Sequence, residues 1–258
     1  MAESILERER RGRVEVFRLN RPEARNAMSP ELSAAIEAAL DDVESDRGVA
    51  AVVITGAGSV FCAGADLKVI AGGGGAGIMT KRGGFAGLAQ RDFPKPVIAA
   101  VNGLAVAGGF ELVLSCDLVV AATGAAFGLP EAKRGLLAAA GGPIRLAKRV
   151  PLATALEIGM TGDTISAERA YQLGLVNRLV PVSAVVDEAV ALGERIAENS
   201  PTAVRVTRTL IRQAADVSEE EGWRLTFEAA AEVGASGDGI EGATAFIEKR
   251  PPTWHEPS

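Results

Sequence analysis

Glu111 is a carboxylate carried alone on an apolar segment, within VIAAVNGLAVAGGFELVLSCD from Val97 to Asp117, directly after a turn of small residues. A helix opening at Gly108-Gly109 would aim free backbone N–H groups outward. Such donors, reinforced by the helix dipole, stabilise an oxygen on which negative charge builds during a reaction. The two glycines also let another group approach the backbone closely. The stretch therefore offers an oxyanion site beside a possible general acid or base. A single glutamate at a helix N-terminus is more ordinarily a solvated, dipole-favoured residue, so the stretch does not by itself assign a function.

Rival chemistries fail on composition and spacing. Gly103 and Gly108 have the glycine spacing of a phosphate-binding P-loop, but Gly109 and Phe110 replace its lysine and its hydroxyl residue. Gly56-Ala57-Gly58 hints at a dinucleotide fingerprint, yet Phe61 stands where the last glycine should be. His255 is the sole histidine and lies near the C-terminus, which speaks against a Ser-His-Asp relay and against a histidine-bound zinc. Cys62 and Cys116 have no metal-type spacing and read as buried thiols rather than a disulfide framework. Acid–base work then falls to carboxylates, with no metal or redox cofactor expected. A net charge of −6 with one tyrosine and two tryptophans provides neither the basic field nor the aromatic platforms of a nucleic-acid binder. The start, MAESILERER, carries no signal-peptide core, and no apolar run approaches the roughly 18 residues of a membrane span. A cytoplasmic protein with no membrane partner is expected.

The elements that would position Glu111 are legible in outline. Val14, Val16 and Leu19 alternate after Arg11-Gly12, predicting an N-terminal hairpin. Ser29-Pro30 gives a helix cap and first-turn proline ahead of Leu32, Ile36, Leu40 and Val43 at helical spacing, with Gly48 closing the helix. Strands are expected over 50–55, from Val97 to Val101 and over 118–121, the second as a β-branched run covered on both faces. FCAGADLK, after Phe61, reads as a tight turn through Gly64 opening a helix at Ala65, a second set of backbone donors. Residues 71–77, AGGGGAG, read as a mobile surface loop. Glu131 lies between Pro130 and a Gly/Ala-rich loop and, taken alone, reads as a surface residue. Helical periodicity is expected beyond Pro151, with Ser166 capping one helix, a short strand over 175–180 and a helix over 183–198. After Asn199-Ser-Pro only helices follow, broken near Asp216 and Gly234. The chain thus divides into an α/β core over 1–199 and a helical region over 200–258.

FCAGADLK, KPVIAAVNGLAVAGGFELVLSCD, FGLPE and the closing AFIEKR together resemble the crotonase family, the enoyl-CoA hydratase/isomerase superfamily, nearly end to end. The resemblance implies a crotonase-like spiral of ββα units with a C-terminal α-helical oligomerisation region. It implies an acyl-CoA substrate and a homotrimer or dimer of trimers. Ala65 and Gly108 match the two positions whose backbone N–H groups hold the thioester oxygen, and Glu111 and Glu131 match the two glutamates of the hydratases. Hydration of a 2-enoyl thioester needs a base to activate water at C3 and an acid to protonate C2, so two carboxylates suffice. Ala27, Ala65, Asp66, Leu67 and Lys68 match positions along the CoA path, and Arg25 is an added phosphate partner. Phe246 and Lys249 match positions that reach a neighbouring subunit's CoA. Two departures stand out: Leu136-Leu137-Ala138-Ala139-Ala140 replaces the proline and first glycine of the Gly-Leu-Ile-Pro-Gly-type turn that follows Glu131 in many hydratases, and 72–77 is unusually rich in glycine. The expected activity is that of an enoyl-CoA hydratase, the alternatives being a double-bond isomerase or a non-catalytic acyl-CoA-binding protein.

Overall fold

The computed structural model describes residues 4–255. The chain opens with the antiparallel hairpin of β1 (Leu6–Arg11) and β2 (Val14–Leu19), followed by α1 (Pro30–Ser45). Ser29 Oγ accepts the Leu32 N–H, and Leu32, Ile36, Leu40 and Val43 are all buried, so the cap and the apolar stripe act as their spacing requires. A repeating unit then appears: β3 (Ala51–Gly56), β4 (Val60–Cys62) and α2 (Leu67–Ala71); after the small hairpin of β5 (Met79–Thr80) and β6 (Gly84–Phe85), β7 (Val97–Val101), β8 (Leu104–Val106) and α3 (Gly108–Ser115); then β9 (Leu118–Ala122) and β10 (Ala126–Gly128). The chain continues through α4 (Gly142–Arg149), α5 (Leu152–Thr161), β11 (Thr164–Ser166), α6 (Ala167–Gln172), β12 (Arg178–Val180) and α7 (Val185–Ala197). Helices α8 (Pro201–Ala214), α9 (Glu219–Ala235) and α10 (Asp238–Glu248) follow.

The first strand of each repeat joins one sheet and the second strand joins another. The larger sheet runs β1-β2-β3-β7-β9-β12, and the smaller runs β11-β10-β8-β4. Within the repeats every pairing is parallel, β3 to β7 to β9 in the first sheet and β4 to β8 to β10 in the second. This is the spiral of ββα units.

Both faces of the larger sheet are covered, which explains the unbroken apolar strands. Val16, Val53, Ile98, Ala100 and Val120 face α7 through Val185, Ala189 and Val190. Their neighbours Phe17, Val52, Ile54, Val97, Ala99, Val101 and Val119 face the main core with α1 and α3. Residue identity alternates between the two cores at the period of the pleat.

Three local expectations need correction. The helix expected at Ala65 begins two residues later, because the Asp66 carboxylate accepts the Lys68 N–H and so sets the cap. Residues 71–77 are exposed except for half-buried Gly75, and they include part of a 3-10 turn over Gly75–Ile78, tied back by Gly74 N to Val69 O at 2.9 Å. The helical part resumes at α4, before Pro151, where Pro143 falls in the first turn.

Candidate active site

The three short strands of the smaller sheet decide where the candidate residues meet. Because β4, β8 and β10 are parallel neighbours, with Cys62, past a register shift in β4, and Phe127 both opposite Ala105, their C-terminal ends lie side by side. Ala65 follows β4, Gly108 follows β8 and Glu131 follows β10, each two or three residues beyond the strand. Residues far apart in sequence thereby converge at one edge, the place where parallel sheets ordinarily bind ligands.

The turn after β4 is closely defined. Gly64 N–H points to Cys62 Sγ at 3.4 Å, Gly64 O accepts from Met28 N at 2.8 Å, and Asp66 N donates to Met28 O at 2.9 Å. This bridge uses the peptide groups on either side of Ala65 and turns the Ala65 N–H the other way. Gly64 has φ +95°, and a Cβ on it would lie 2.8 Å from Ala107 Cβ and 3.0 Å from Gly108 N. The two turns are therefore in contact. Ala107, which caps α3, has φ 52° and ψ −133°, a conformation costing of the order of 1–3 kcal/mol and typical of functional sites. Its N–H extends the ladder to Gly128 O at 3.0 Å, and the next residue, Gly108, starts the helix. The backbone donors of Ala65 and Gly108 thus belong to one small site.

Glu111 sits in the first turn of α3, only 3% exposed. Its Oε1 accepts the N–H groups of Ala140 and Gly142, both at 2.8 Å. A Cβ at Gly142 would lie 3.0 Å from that oxygen, so this approach requires glycine. Burial raises the Glu111 pKa above the ordinary carboxylate range, while the Gly142 and Ala140 N–H groups and the Arg145 charge oppose the rise. Glu131, on the 3-10 turn Pro130–Arg134, is half-buried, and among the described residues its buried Oε2 has no hydrogen-bond partner. Burial raises its pKa and the nearby Glu111 charge adds to the rise, with its own backbone N–H and Arg134 opposing it. Of the two glutamates, one has donors for an ionised oxygen. The other has a carboxyl oxygen left for a ligand or a proton. Phe110 and Phe127, with ring centroids 5.5 Å apart, pin the start of α3 to β10 beneath them.

Residues assigned to the CoA path fall into two groups. Segment 25–28 runs against 63–66, with Ala63 N donating to Arg25 O at 3.1 Å, so Arg25, Ala27, Ala65 and Asp66 are brought together. Leu67 and Lys68 are exposed at the start of α2. The Asp66 carboxylate is engaged by Arg21 Nη2 at 3.0 Å and by the helix cap, so its side chain braces the turn. Phe246 and Lys249 stand apart from this constellation within the single chain. They lie at the end of α10, which packs on α9, and Phe246 is 85% exposed.

His255 does meet a serine and an aspartate, but not as a relay. Ser200 Oγ donates to Asp238 Oδ2 at 2.5 Å, while the imidazole Nδ1 lies 3.0 Å from Asp238 Oδ1, so the hydroxyl is not paired with the ring. The group staples the C-terminal segment to α8 and α10. Cys62 and Cys116 are free, fully buried thiols, both pushed up to about 12 by burial. Among the described residues no cluster of three or more His, Cys, Asp or Glu could hold a metal, and no helix is long and apolar enough to cross a membrane.

Sequence reasoning missed the Ala140 and Gly142 donors, Arg145 and Phe85. A Gly141-Gly142 pair opening a helix was an available sign of exposed N–H groups. Phe85 gave none: its ring lies where a Gly108 Cβ would be, 2.3 Å from the Cζ atom, through long-range packing of β6.

A family model described as enoyl-CoA hydratase/isomerase matches residues 9–257. The chain is similar to a crystal structure of enoyl-CoA hydratase from Mycobacterium tuberculosis H37Rv, at a TM-score of 0.94 and 42% identity, covering 99% of this chain and 100% of that one. It is also similar to carnitinyl-CoA hydratase from Mycobacterium avium, at a TM-score of 0.78 and 42% identity over 98% and 99% of the two chains. Carnitinyl-CoA dehydratase from Proteus mirabilis is 40% identical over 250 residues, 95% of each chain.

Proposed function

The chain belongs to the enoyl-CoA hydratase/isomerase family, and from that premise we propose that it adds water reversibly to a trans-2-enoyl-CoA, giving a 3-hydroxyacyl-CoA. The observation that carries this reading is the contrast between the two glutamates. Glu111 is held by two N–H donors with Arg145 nearby, which favours the carboxylate, whereas Glu131 has a buried oxygen without a partner and feels the charge of Glu111. Such a pair tends to share one proton, with Glu111 ionised and Glu131 protonated. Glu111 then takes a proton from water as the oxygen bonds to C3, and Glu131 delivers a proton to C2. The enolate-like thioester oxygen formed between these events is held by the N–H groups of Ala65 and Gly108. One water enters: its hydroxyl ends on C3 and its proton on Glu111, C2 keeps the proton that Glu131 gave up, and return of a proton from Glu111 to Glu131, directly or through solvent, restores the starting state.

Arg25, Ala27, Ala65, Asp66, Leu67 and Lys68 line the CoA path in this reading, supported by the paired segments 25–28 and 63–66. Coenzyme A enters as part of the substrate. Purified protein mixed with crotonyl-CoA should bleach the enoyl absorbance and place water-derived ¹⁸O on C3. Rapid conversion of a 3-enoyl-CoA to the 2-enoyl isomer with no ¹⁸O uptake would instead assign an isomerase. Binding of both compounds with no turnover would assign a non-catalytic binder.

The same reading includes a homotrimer or a dimer of trimers in which Phe246 and Lys249 reach a neighbouring subunit's CoA. Its support is the set of large apolar side chains left exposed on the C-terminal helices: Trp223, Phe227, Ile240, Phe246 and Ile247. Light scattering should give three or six times the chain mass of 26.6 kDa, and Lys249→Ala should weaken CoA binding in the intact assembly. A monomer that binds CoA as tightly as the assembly would refute this arrangement.

A further inference from the structure

Arg145 lies one turn beyond Gly142, on α4, and is half-buried. Its Nη1 donates to Ala140 O at 3.0 Å, and its Nη2 donates to Ala89 O. The first contact fixes the residue whose N–H meets Glu111: Ala140 donates to Glu111 Oε1 on one side and accepts from Arg145 on the other. The second contact reaches the segment of Phe85, since Ala89 N bonds Phe85 O at 3.0 Å and the Phe85 ring covers Gly108. One planar guanidinium therefore joins the loop holding the carboxylate to the segment backing the oxyanion turn, a geometry its fork of donors permits and a lysine cannot reproduce.

We propose that Arg145 is a positioning residue for the reaction, acting through Glu111 by clamping the 138–142 loop and supplying the positive charge beside that carboxylate. The proposal rests on the assignment of Glu111 as the base. The charged groups that bear on Glu111 are Arg145 from α4 and Glu131 from the 3-10 turn; Arg145 is itself faced by Arg149 on its own helix, by Arg212 from α8, by Glu111 and by the Cys116 thiol, which is neutral at working pH. Arg145 lowers the Glu111 pKa against the dominant effect of burial. Removing its charge must therefore raise that pKa further. A base is lost as pH falls through its pKa, so the acid limb of the rate profile moves to higher pH.

The test compares Arg145→Gln, which keeps a donor but no charge, with Arg145→Lys, which keeps the charge but not the fork. In Arg145→Gln the acid limb of kcat for crotonyl-CoA should move to higher pH, as for loss of a nearby opposite charge. In Arg145→Lys it should stay near the wild-type position. Both should lower kcat by up to about 10²-fold through misplacement of the carboxylate, with KM little changed. In both, amide exchange at Ala140 and Gly142 should be faster than in the wild type. Coincident acid limbs in the two variants would overturn the electrostatic part. Wild-type amide exchange in Arg145→Lys would overturn the clamp, and this reading stands even if Arg145→Gln does not fold. Amide exchange does not depend on turnover, so a wild-type protein inert toward crotonyl-CoA would count against the proposed activity while the clamp is still judged by exchange.

Discussion

Glu111→Gln and Glu131→Gln should each reduce hydration of crotonyl-CoA by about 10² to 10⁴-fold, the range for loss of a positioned acid or base. The two losses have different causes. Glutamine at 111 can still accept the Ala140 and Gly142 N–H groups through its amide oxygen, so the loop should hold while water loses its base. Glutamine at 131 keeps the size of the side chain but has no acidic proton for C2. Since both steps belong to one addition, the double variant should be little slower than the poorer single, because groups acting as a unit do not add. CoA affinity should change little, as neither carboxylate lies on the paired segments 25–28 and 63–66. Single-turnover kinetics with crotonyl-CoA check the rates, and calorimetric titration with CoA checks the binding. Full activity in either folded single variant would remove the two-carboxylate mechanism.

Gly64→Ala should lower kcat by about 10² to 10³-fold, the usual loss for one oxyanion donor, with the protein still folded. The reason is contact between turns. An added Cβ would meet Ala107 Cβ at 2.8 Å, Gly108 N at 3.0 Å and Val106 O at 3.2 Å, so the end of β4 must move away from the end of β8. That motion separates the Ala65 and Gly108 donors. Alanine at φ +95° is strained as well, and the control is Gly174→Ala, at φ +78° with nothing within 4 Å of the added atom. Gly174→Ala should share the loss in Tm while keeping full turnover. Equal turnover in the two variants would show that the contact between turns has no part in holding the transition state.

The readings that succeeded from sequence were local. Ser29-Pro30 and the stripe from Leu32 to Val43 define α1 within its own residues, since a cap and a 3.6-residue period act over one to four turns. The same holds for the β1–β2 hairpin, for Ser166 capping α6 through Arg169 N, and for the run Val97–Val101, whose unbroken apolar character requires cover on both faces. The ββα spiral came from motif resemblance rather than periodicity, because β4, β8 and β10 have three residues each, too few to show a period.

The sequence by itself supplied the candidate groups: two carboxylates and two small-residue turns with backbone donors. Only the tertiary structure decided which of these groups act on one another. Glu131 looked like a surface residue because its burial comes from the register of β10 against β8. The donors on Glu111 come from a loop 29 and 31 residues away, and Arg145 reaches Ala89 across 56 residues. Spacing along the chain cannot encode such contacts. They arise when buried strands align side by side and the loops leaving them must satisfy their backbone groups against whatever the alignment brings near.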